Sequence, residues 1–293
     1  MATLISLYLI DDEMTGRVKC TIGQRTTTLY KIPRSELDKC NTVDNSQISK
    51  HLKQAGIYFL LGKDEDSGRD AIYIGQATIR KNGEALLYRL MEHKRDSKKD
   101  YFTEAIAITT SDDTLGATEL NYLENRFTNL AKEANRFVVK NANDPNIGNY
   151  SEETESSLNE FIENVKLIMG TLGYRPFTPL IDSSKHNSST EGYLYYKGTS
   201  FDAKGKQTDE GFVVLRGSKV NLNTVNKVRD YIVNSRKMNA DKIDSDGILK
   251  EDILFGSPSG AACFVGYGSI NGKDVWKDAA GHSLNSLENK KED

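Results

Sequence analysis

Hydrophobic and polar residues alternate in three short segments within the first forty residues. Residues 7–10, 18–22 and 27–32 are rich in β-prone side chains, and turn-forming residues separate them. A period of two is typical of strands that bury one face. We therefore predict a small antiparallel β unit within residues 1–45.

The next pattern predicts a hairpin. Residues 57–61 and 71–74 are short β-prone runs, and the polar residues 63–70 between them have the composition of a turn. Strands with so short a connection pair antiparallel. Side chains of the two runs should therefore be neighbours on one sheet.

Helical spacing follows. Apolar residues recur every three or four positions in residues 84–95 and again in residues 120–134, with a β-prone run at 104–109 between them. One of the polar residues 111–113 is expected to cap the second helix. Residues 55–145 should therefore form one compact α/β domain.

The rest of the chain predicts a long helix and a second domain. Residues 151–173 are amphipathic but too short for a coiled coil, so we expect them to pack on the preceding domain. Residues 182–191, rich in Ser and Asn, are the best linker. Residues 192–286, with a helix at 224–236, indicate a small α+β domain. The expected fold class is thus α+β, with a small antiparallel sheet flanked by helices.

Composition limits the function classes. The chain has 293 residues, a net charge of −3 and three widely spaced cysteines, Cys20, Cys40 and Cys263. Their spacing fits buried thiols better than a zinc or disulfide motif. No apolar run approaches the roughly 18 residues of a membrane span, so a cytoplasmic protein without a membrane partner is expected. Because the net charge is negative, any contact with nucleic acid must be local.

Residues 80–99 are the best local candidate for such a contact. Seven Lys and Arg residues lie there against three Asp and Glu residues. Taken alone, such a run is also typical of a solvated helix face.

Two tripeptides introduce the candidate chemistry. Gly56-Ile57-Tyr58 opens the first strand of the predicted hairpin, and Tyr73-Ile74-Gly75 closes the second, so pairing would place the tyrosines side by side. An arginine and a histidine at i and i+4 of the next helix, a glutamate in the following helix and two later asparagines complete the set: Arg89, His93, Glu124, Asn141 and Asn143.

This ordered set resembles the GIY-YIG nuclease superfamily over about ninety residues. The superfamily pattern comprises the two tripeptides, an arginine, a histidine or tyrosine, a metal-binding glutamate and a late asparagine. Here the tripeptides are slightly further apart than usual. The resemblance implies a metal-dependent endonuclease that hydrolyses phosphodiester bonds in nucleic acid, with DNA as the expected substrate and Mg²⁺ or Mn²⁺ as the cofactor.

The resemblance also implies roles. Tyr58 would activate the attacking water, which requires a pKa well below the usual value of about 10. Arg89 would bind the scissile phosphate. His93 or Tyr73 would orient the water or relay its proton.

The remaining roles concern the metal and the support of the site. Glu124 would hold a single metal ion, and Glu119 is the competing candidate. Asn141 or Asn143 would brace the site.

Residues 192–286 resemble the C-terminal domain of unknown function that is often attached to bacterial and phage GIY-YIG proteins. Runs at 212–218 and 257–262 are part of this resemblance. It implies a targeting role, in which Trp276 or Tyr267 would stack on a base. A buried tryptophan in an ordinary small domain is the alternative.

Two other function classes stay open. A catalytically silent nucleic-acid-binding or regulatory module would keep the fold without the chemistry, although the complete motif set argues against it. A structural adaptor would use the helix at 151–173, and a chain that neither binds nor cleaves nucleic acid would favour that class.

Overall fold

The computed structural model describes residues 2–41, 46–81, 83, 85–142, 150–181, 192–223 and 228–289. The chain divides into two compact units, Met1–Pro179 and Leu180–Asp293. Each unit has one sheet with helices, so the α+β class is confirmed.

The three cysteines are buried free thiols, as expected. Within the described ranges, no helix combines the length and apolar character needed to cross a membrane.

The first unit is built on a seven-stranded sheet. Its strands are β1 (Ile5–Leu9), β2 (Val18–Ile22), β3 (Thr27–Pro33), β4 (Gly56–Lys63), β5 (Asp70–Ala77), β6 (Phe102–Thr110) and β7 (Val138–Val139). Their order is β1-β2-β3-β6-β4-β5-β7. The strands of the predicted N-terminal β unit belong to this sheet, because β3 pairs with β6 along its whole length.

The central strand β4 is buried on both faces. Ile57, Phe59 and Leu61 lie in one core cluster, whereas Tyr58 and Leu60 lie in another. Alternate residues of a strand point to opposite faces, so an uninterrupted apolar run supplies both cores. Tyr58 thus enters the core on the face opposite to Phe59.

The described α-helices of this unit are α1 (Ser46–Leu52), α2 (Leu86–Arg95), α3 (Ala117–Ala134) and α4 (Glu152–Thr171). α2 contributes Leu86 and Leu90 to the core of Tyr58, while α3 and α4 contribute Leu123 and Ile162 to the core of Phe59. The amphipathic helix therefore packs on the first unit, as predicted.

The start of α3 differs from the prediction. Its N-cap residue is Gly116, and none of residues 111–113 caps it. Asp112 instead accepts a hydrogen bond from the Thr114 hydroxyl (3.0 Å), and Asp113 has a positive φ of 54°. These residues form the turn that ends β6, because aspartate favours turns as well as helix caps.

The second unit contains β8 (Tyr193–Lys197), β9 (Asp202–Thr208), β10 (Gly211–Val214), β11 (Ile253–Phe255), α5 (Asp230–Met238), α6 (Pro258–Gly266), α7 (Gly272–Val275) and α8 (Leu284–Asn289). The strands form an antiparallel sheet in the order β11-β10-β9-β8. α6 packs on one face of it, with Phe264 in the same core as Leu194 and Val214. Residues 224–227 of the predicted helix and the predicted linker at 182–191 lie outside the described residues.

Candidate active site

The hairpin of β4 and β5 brings the two motif tyrosines together. Its register places Tyr58 opposite Gly75 and Tyr73 opposite Leu60, so both tyrosines project from the same face. Their ring centroids lie 6.3 Å apart. The neighbouring tyrosines that the tripeptides predicted are therefore present.

The motif glycines make room for neighbouring groups. A Cβ on Gly75 would lie closer than 3.0 Å to the Tyr58 hydroxyl oxygen, and one on Gly56 would collide with the Ile108 carbonyl oxygen and the Leu86 side chain. Neither glycine has a positive φ. Glycine is therefore needed at both positions for close packing and not for a turn.

α2 places His93 beside this pair. The Tyr58 hydroxyl oxygen lies 2.7 Å from His93 Nε2, and the two residues are only 1% and 5% exposed. Burial lowers the pKa of His93 to about 4, with Arg89 and Lys99 adding to the decrease. Burial also raises the pKa of Tyr58 far above its ordinary value. At neutral pH the phenol therefore donates its proton in this bond to a neutral imidazole.

The expected lowering of the Tyr58 pKa is therefore wrong. Arg89 does act to lower that pKa, but the loss of hydration outweighs its charge. Tyr58 is a neutral hydrogen-bond donor in the folded protein. A role for Tyr58 as a base requires that His93 accept the phenolic proton.

Arg89 lies one helical turn before His93 on α2. Its guanidinium interacts with the Tyr58 hydroxyl, and its Nη1 donates to Glu92 Oε2 (2.8 Å). Glu92 also pairs with Arg80 at 3.0 Å. The basic run at 80–99 is thus partly neutralised, and the Arg89 side chain remains 38% exposed beside the tyrosines.

α3 presents Glu124 to the end of β5. Its Oε2 accepts a hydrogen bond from Gln76 Nε2 (2.9 Å), and Gln76 directly follows the second tripeptide. Burial raises the pKa of Glu124, while Gln76 and Arg89 oppose that rise. Glu119 instead lines a separate cleft of about 530 Å³ with Thr26 and other residues. Of the two glutamates, Glu124 is the one that lies with the motif residues.

Asn141 braces the second tripeptide. Its Oδ1 accepts from the Ile74 backbone N–H (3.0 Å), and its Nδ2 donates to the Ile74 carbonyl oxygen (2.7 Å). β7 pairs with β5 only at Ala71 and Ile72, so the Asn141 side chain continues the ladder beyond the last strand residue. Asn143 lies outside the described residues.

Two residues of the site were not predicted individually. Lys99 Nζ lies 3.2 Å from the centroid of the Tyr73 ring, and burial lowers its pKa to about 8. Gln76 connects Glu124 with Asn121, whose Oδ1 it approaches to 2.6 Å. Lys99 belongs to the basic run, but nothing in the sequence indicates that the segment after α2 lies over Tyr73.

A metal ion at this site would rest on Glu124. Across the part of the chain that the structure describes, no group of three or more His, Cys, Asp or Glu side chains is arranged to hold a metal. The Glu124 carboxylate is half-buried, and burial disfavours its ionised form. A hard cation would favour that form, so Glu124 could supply one carboxylate ligand to a single ion.

The comparison with known families concerns the second unit. Residues 194–288 match the family model described as Domain of unknown function (DUF4357). This match confirms that a C-terminal domain of unknown function is present, close to the predicted bounds of 192–286. No curated protein and no solved structure matches the chain. The family of the first unit stays a prediction from its motif residues.

Proposed function

We propose that the first unit is a GIY-YIG-type, metal-dependent endonuclease that hydrolyses phosphodiester bonds in DNA. The main support is the buried 2.7 Å hydrogen bond between Tyr58 and His93, with Tyr73, Arg89 and Glu124 around it. A binding module without catalysis has no chemical need for this combination of a proton donor, a proton acceptor, a cation and a carboxylate.

Tyr58 and His93 form a path for the proton of the attacking water. As the water oxygen bonds to phosphorus, the water gives a proton to the Tyr58 hydroxyl oxygen, and the phenolic proton passes to Nε2 of neutral His93. The bond from phosphorus to the leaving oxygen breaks, and its electron pair stays on that oxygen. The two proton transfers are coupled, so Tyr58 never has to become a free phenolate.

Positive charge comes from the residues around this path. Arg89 binds the non-bridging oxygens of the phosphate and stabilises the charge that develops on them. Lys99, with its ammonium over the Tyr73 ring, adds a second positive charge on the same side. Glu124 would hold Mg²⁺ or Mn²⁺, which supplies further stabilisation of the phosphate charge when bound.

A cleavage assay with the full chain tests the proposal. Linear, nicked, branched and single-stranded DNA and matched RNA substrates are incubated with Mg²⁺, Mn²⁺ or EDTA. We expect cleavage that requires the metal. Glu124→Gln should abolish it, whereas Glu119→Gln, its matched control in the other cleft, should not. The reverse result would transfer the metal role to Glu119.

A second pair of variants tests the proton path. Tyr58→Phe should lower the rate by about 10² or more, in line with the loss of positioned proton transfer. Tyr30→Phe is its control, because the Tyr30 hydroxyl makes a similar hydrogen bond, 2.6 Å from His51 Nδ1, and strand β6 separates Tyr30 from Tyr58. Binding without cleavage on every substrate would instead favour the silent module.

A further inference from the structure

On the sheet face opposite to α6, the second unit has a partly exposed region along β8 and β9, whereas Val213 of β10 is fully buried on that face. In an antiparallel ladder, directly paired residues project from the same face. The register pairs Tyr193 with Lys206 and Tyr195 with Lys204. An isolated bridge beyond β8 pairs Tyr195 with Lys277 as well. We call the surface formed by these two tyrosines and three lysines the tyrosine–lysine face.

This face points away from the core of the unit. Leu194, between the two tyrosines, is 4% exposed and packs in the core with Ala203 and Val214. Tyr193 and Tyr195 are both partly exposed. The alternation therefore directs two aromatic rings outward from a single strand.

Positive charge surrounds the rings. Lys204 Nζ and Lys206 Nζ lie 3.8 and 5.0 Å from the centroid of the Tyr193 ring. At the end of β8, Lys197 pairs with Asp202 (2.8 Å), and Asp202 is also bridged to Lys219 through the backbone. The rows across the sheet thus combine several lysines with a single aspartate, which favours an anionic partner.

A cleft opens at the edge of this face. It has a volume of about 680 Å³, and its lining contains Tyr195 with two lysines and two aspartates, Lys197, Lys277, Asp274 and Asp278. The Asp274 carboxylate accepts a hydrogen bond from Asn271 Nδ2. The Asp278 carboxylate already accepts hydrogen bonds within its own turn. A cleft of this size accommodates a planar group the size of a nucleobase.

The distance between the Tyr193 and Tyr195 rings favours a single-stranded ligand over a duplex. Side chains at i and i+2 of a strand are about 6.5–7 Å apart, so the two rings can each contact a separate group of an extended ligand. Paired bases inside a duplex have no free face to offer, whereas an unstacked single strand presents base faces together with a phosphate backbone.

We propose that the tyrosine–lysine face binds single-stranded nucleic acid, with bases stacked on Tyr193 and Tyr195 and phosphates bound by Lys204, Lys206 and Lys277. This surface lies outside the proposed active site, and its ligand does not depend on the nuclease activity. Trp276 cannot stack on a base as the sequence suggested, because it is fully buried. Its Nε1 donates a hydrogen bond to the Pro258 carbonyl oxygen (3.0 Å).

Fluorescence anisotropy with the full chain in EDTA tests this proposal without cleavage. The probes are labelled single-stranded DNA, single-stranded RNA and duplex DNA of equal length. We expect tighter binding of a single strand than of the duplex. Tyr193→Leu and Tyr195→Leu should each weaken single-strand binding by about 5- to 150-fold, which corresponds to the loss of one stacked base. The matching phenylalanine variants should keep the affinity, because stacking uses the ring and not the hydroxyl.

Charge variants give an independent measurement. Lys204→Gln with Lys206→Gln should weaken binding and reduce the slope of log affinity against log salt by about 1.4, since each phosphate contact of a single strand contributes about 0.7. The control is Arg229→Gln with Lys237→Gln. Both residues are exposed at α5, which packs on α6 and so lies on the opposite side of the sheet.

Three results would overturn the proposal. One is unchanged single-strand binding in both leucine variants when circular dichroism shows an intact fold. Another is an equal loss of affinity in the control pair. The third is that the wild-type chain binds no single strand, which would point to an acidic protein as the partner. Because binding is measured without metal, each of these results is independent of whether the first unit cleaves DNA.

Discussion

Gly75→Ala is the sharpest test of how the candidate site is built. The substitution adds one carbon atom on the face of β5 where the Tyr58 ring lies. That carbon would be closer than 3.0 Å to the hydroxyl oxygen and to the ring carbon that bears it. Ordinary contacts between such atoms are about 3.5–4.0 Å, so the ring must move by about 1 Å.

A movement of that size should have a small effect on stability and a large effect on activity. Overpacking of a core by one carbon costs about 1–3 kcal/mol, which a compact domain can tolerate. The hydrogen bond from Tyr58 to His93 is 2.7 Å long and breaks if the hydroxyl moves by about 1 Å. Misplacement by that distance costs about 10²-fold in rate, so the variant should fold and lose most of its cleavage activity.

Single-turnover cleavage and thermal unfolding of the same preparation measure the two effects. Gly170→Ala is the control, because a Cβ there has no neighbour within 4 Å and alanine stabilises a helix by up to about 1 kcal/mol. In a Tyr58→Ala background, Gly75→Ala should cost almost no stability, since the ring is gone. A folded Gly75→Ala variant with the wild-type rate would refute this account of the motif glycine.

Three further predictions concern the same unit. Arg89→Ala should lower the cleavage rate by about 10²-fold. The control Arg80→Ala, which removes the other partner of Glu92, should have little effect on that rate. Equal losses of rate in the two variants would exclude a special role for Arg89. The pKa of His93 is about 4 in the folded protein against 6.5 for a free histidine, so the unfolded chain binds the proton first. Stability should therefore be full above pH 6.5 and fall as the pH drops toward 4, and pH-dependent melts of His93→Gln should show a smaller fall. A fragment ending at Pro179 should keep metal-dependent cleavage, and a folded, soluble fragment without activity would show that the second unit completes the site.

The C-terminal boundary of the first unit could not be predicted from local sequence patterns. The amphipathic periodicity ends near Gly173, which suggests a boundary there. In the structure, Phe177 is 2% exposed and packs against Phe59 and Phe127 at ring distances of 5.0 and 4.9 Å. A single aromatic residue after a helix has no period, so its burial depends on long-range packing that the sequence does not display.

Part of the candidate site could likewise be predicted from local sequence patterns, and part could not. The proximity of Tyr58 and Tyr73 follows from a short hairpin, and Arg89 and His93 share a helix face because of their spacing, so both pairs could be predicted. The contact of Lys99 with Tyr73 could not, since it depends on how the chain turns after α2. The raised pKa of Tyr58 was also missed, because the sequence shows the nearby cation but not the depth of burial.

The close packing of the Tyr58 ring against Gly75 restricts which residues these two positions can acquire in evolution. A chain that keeps the tyrosine ring in this place must keep glycine on the neighbouring strand, because any side chain there would occupy the same volume. Loss of the ring would remove that constraint and allow larger residues at the second position. Across homologous first units, the two positions should therefore change together, with the glycine replaced only in lineages where the tyrosine has already been lost.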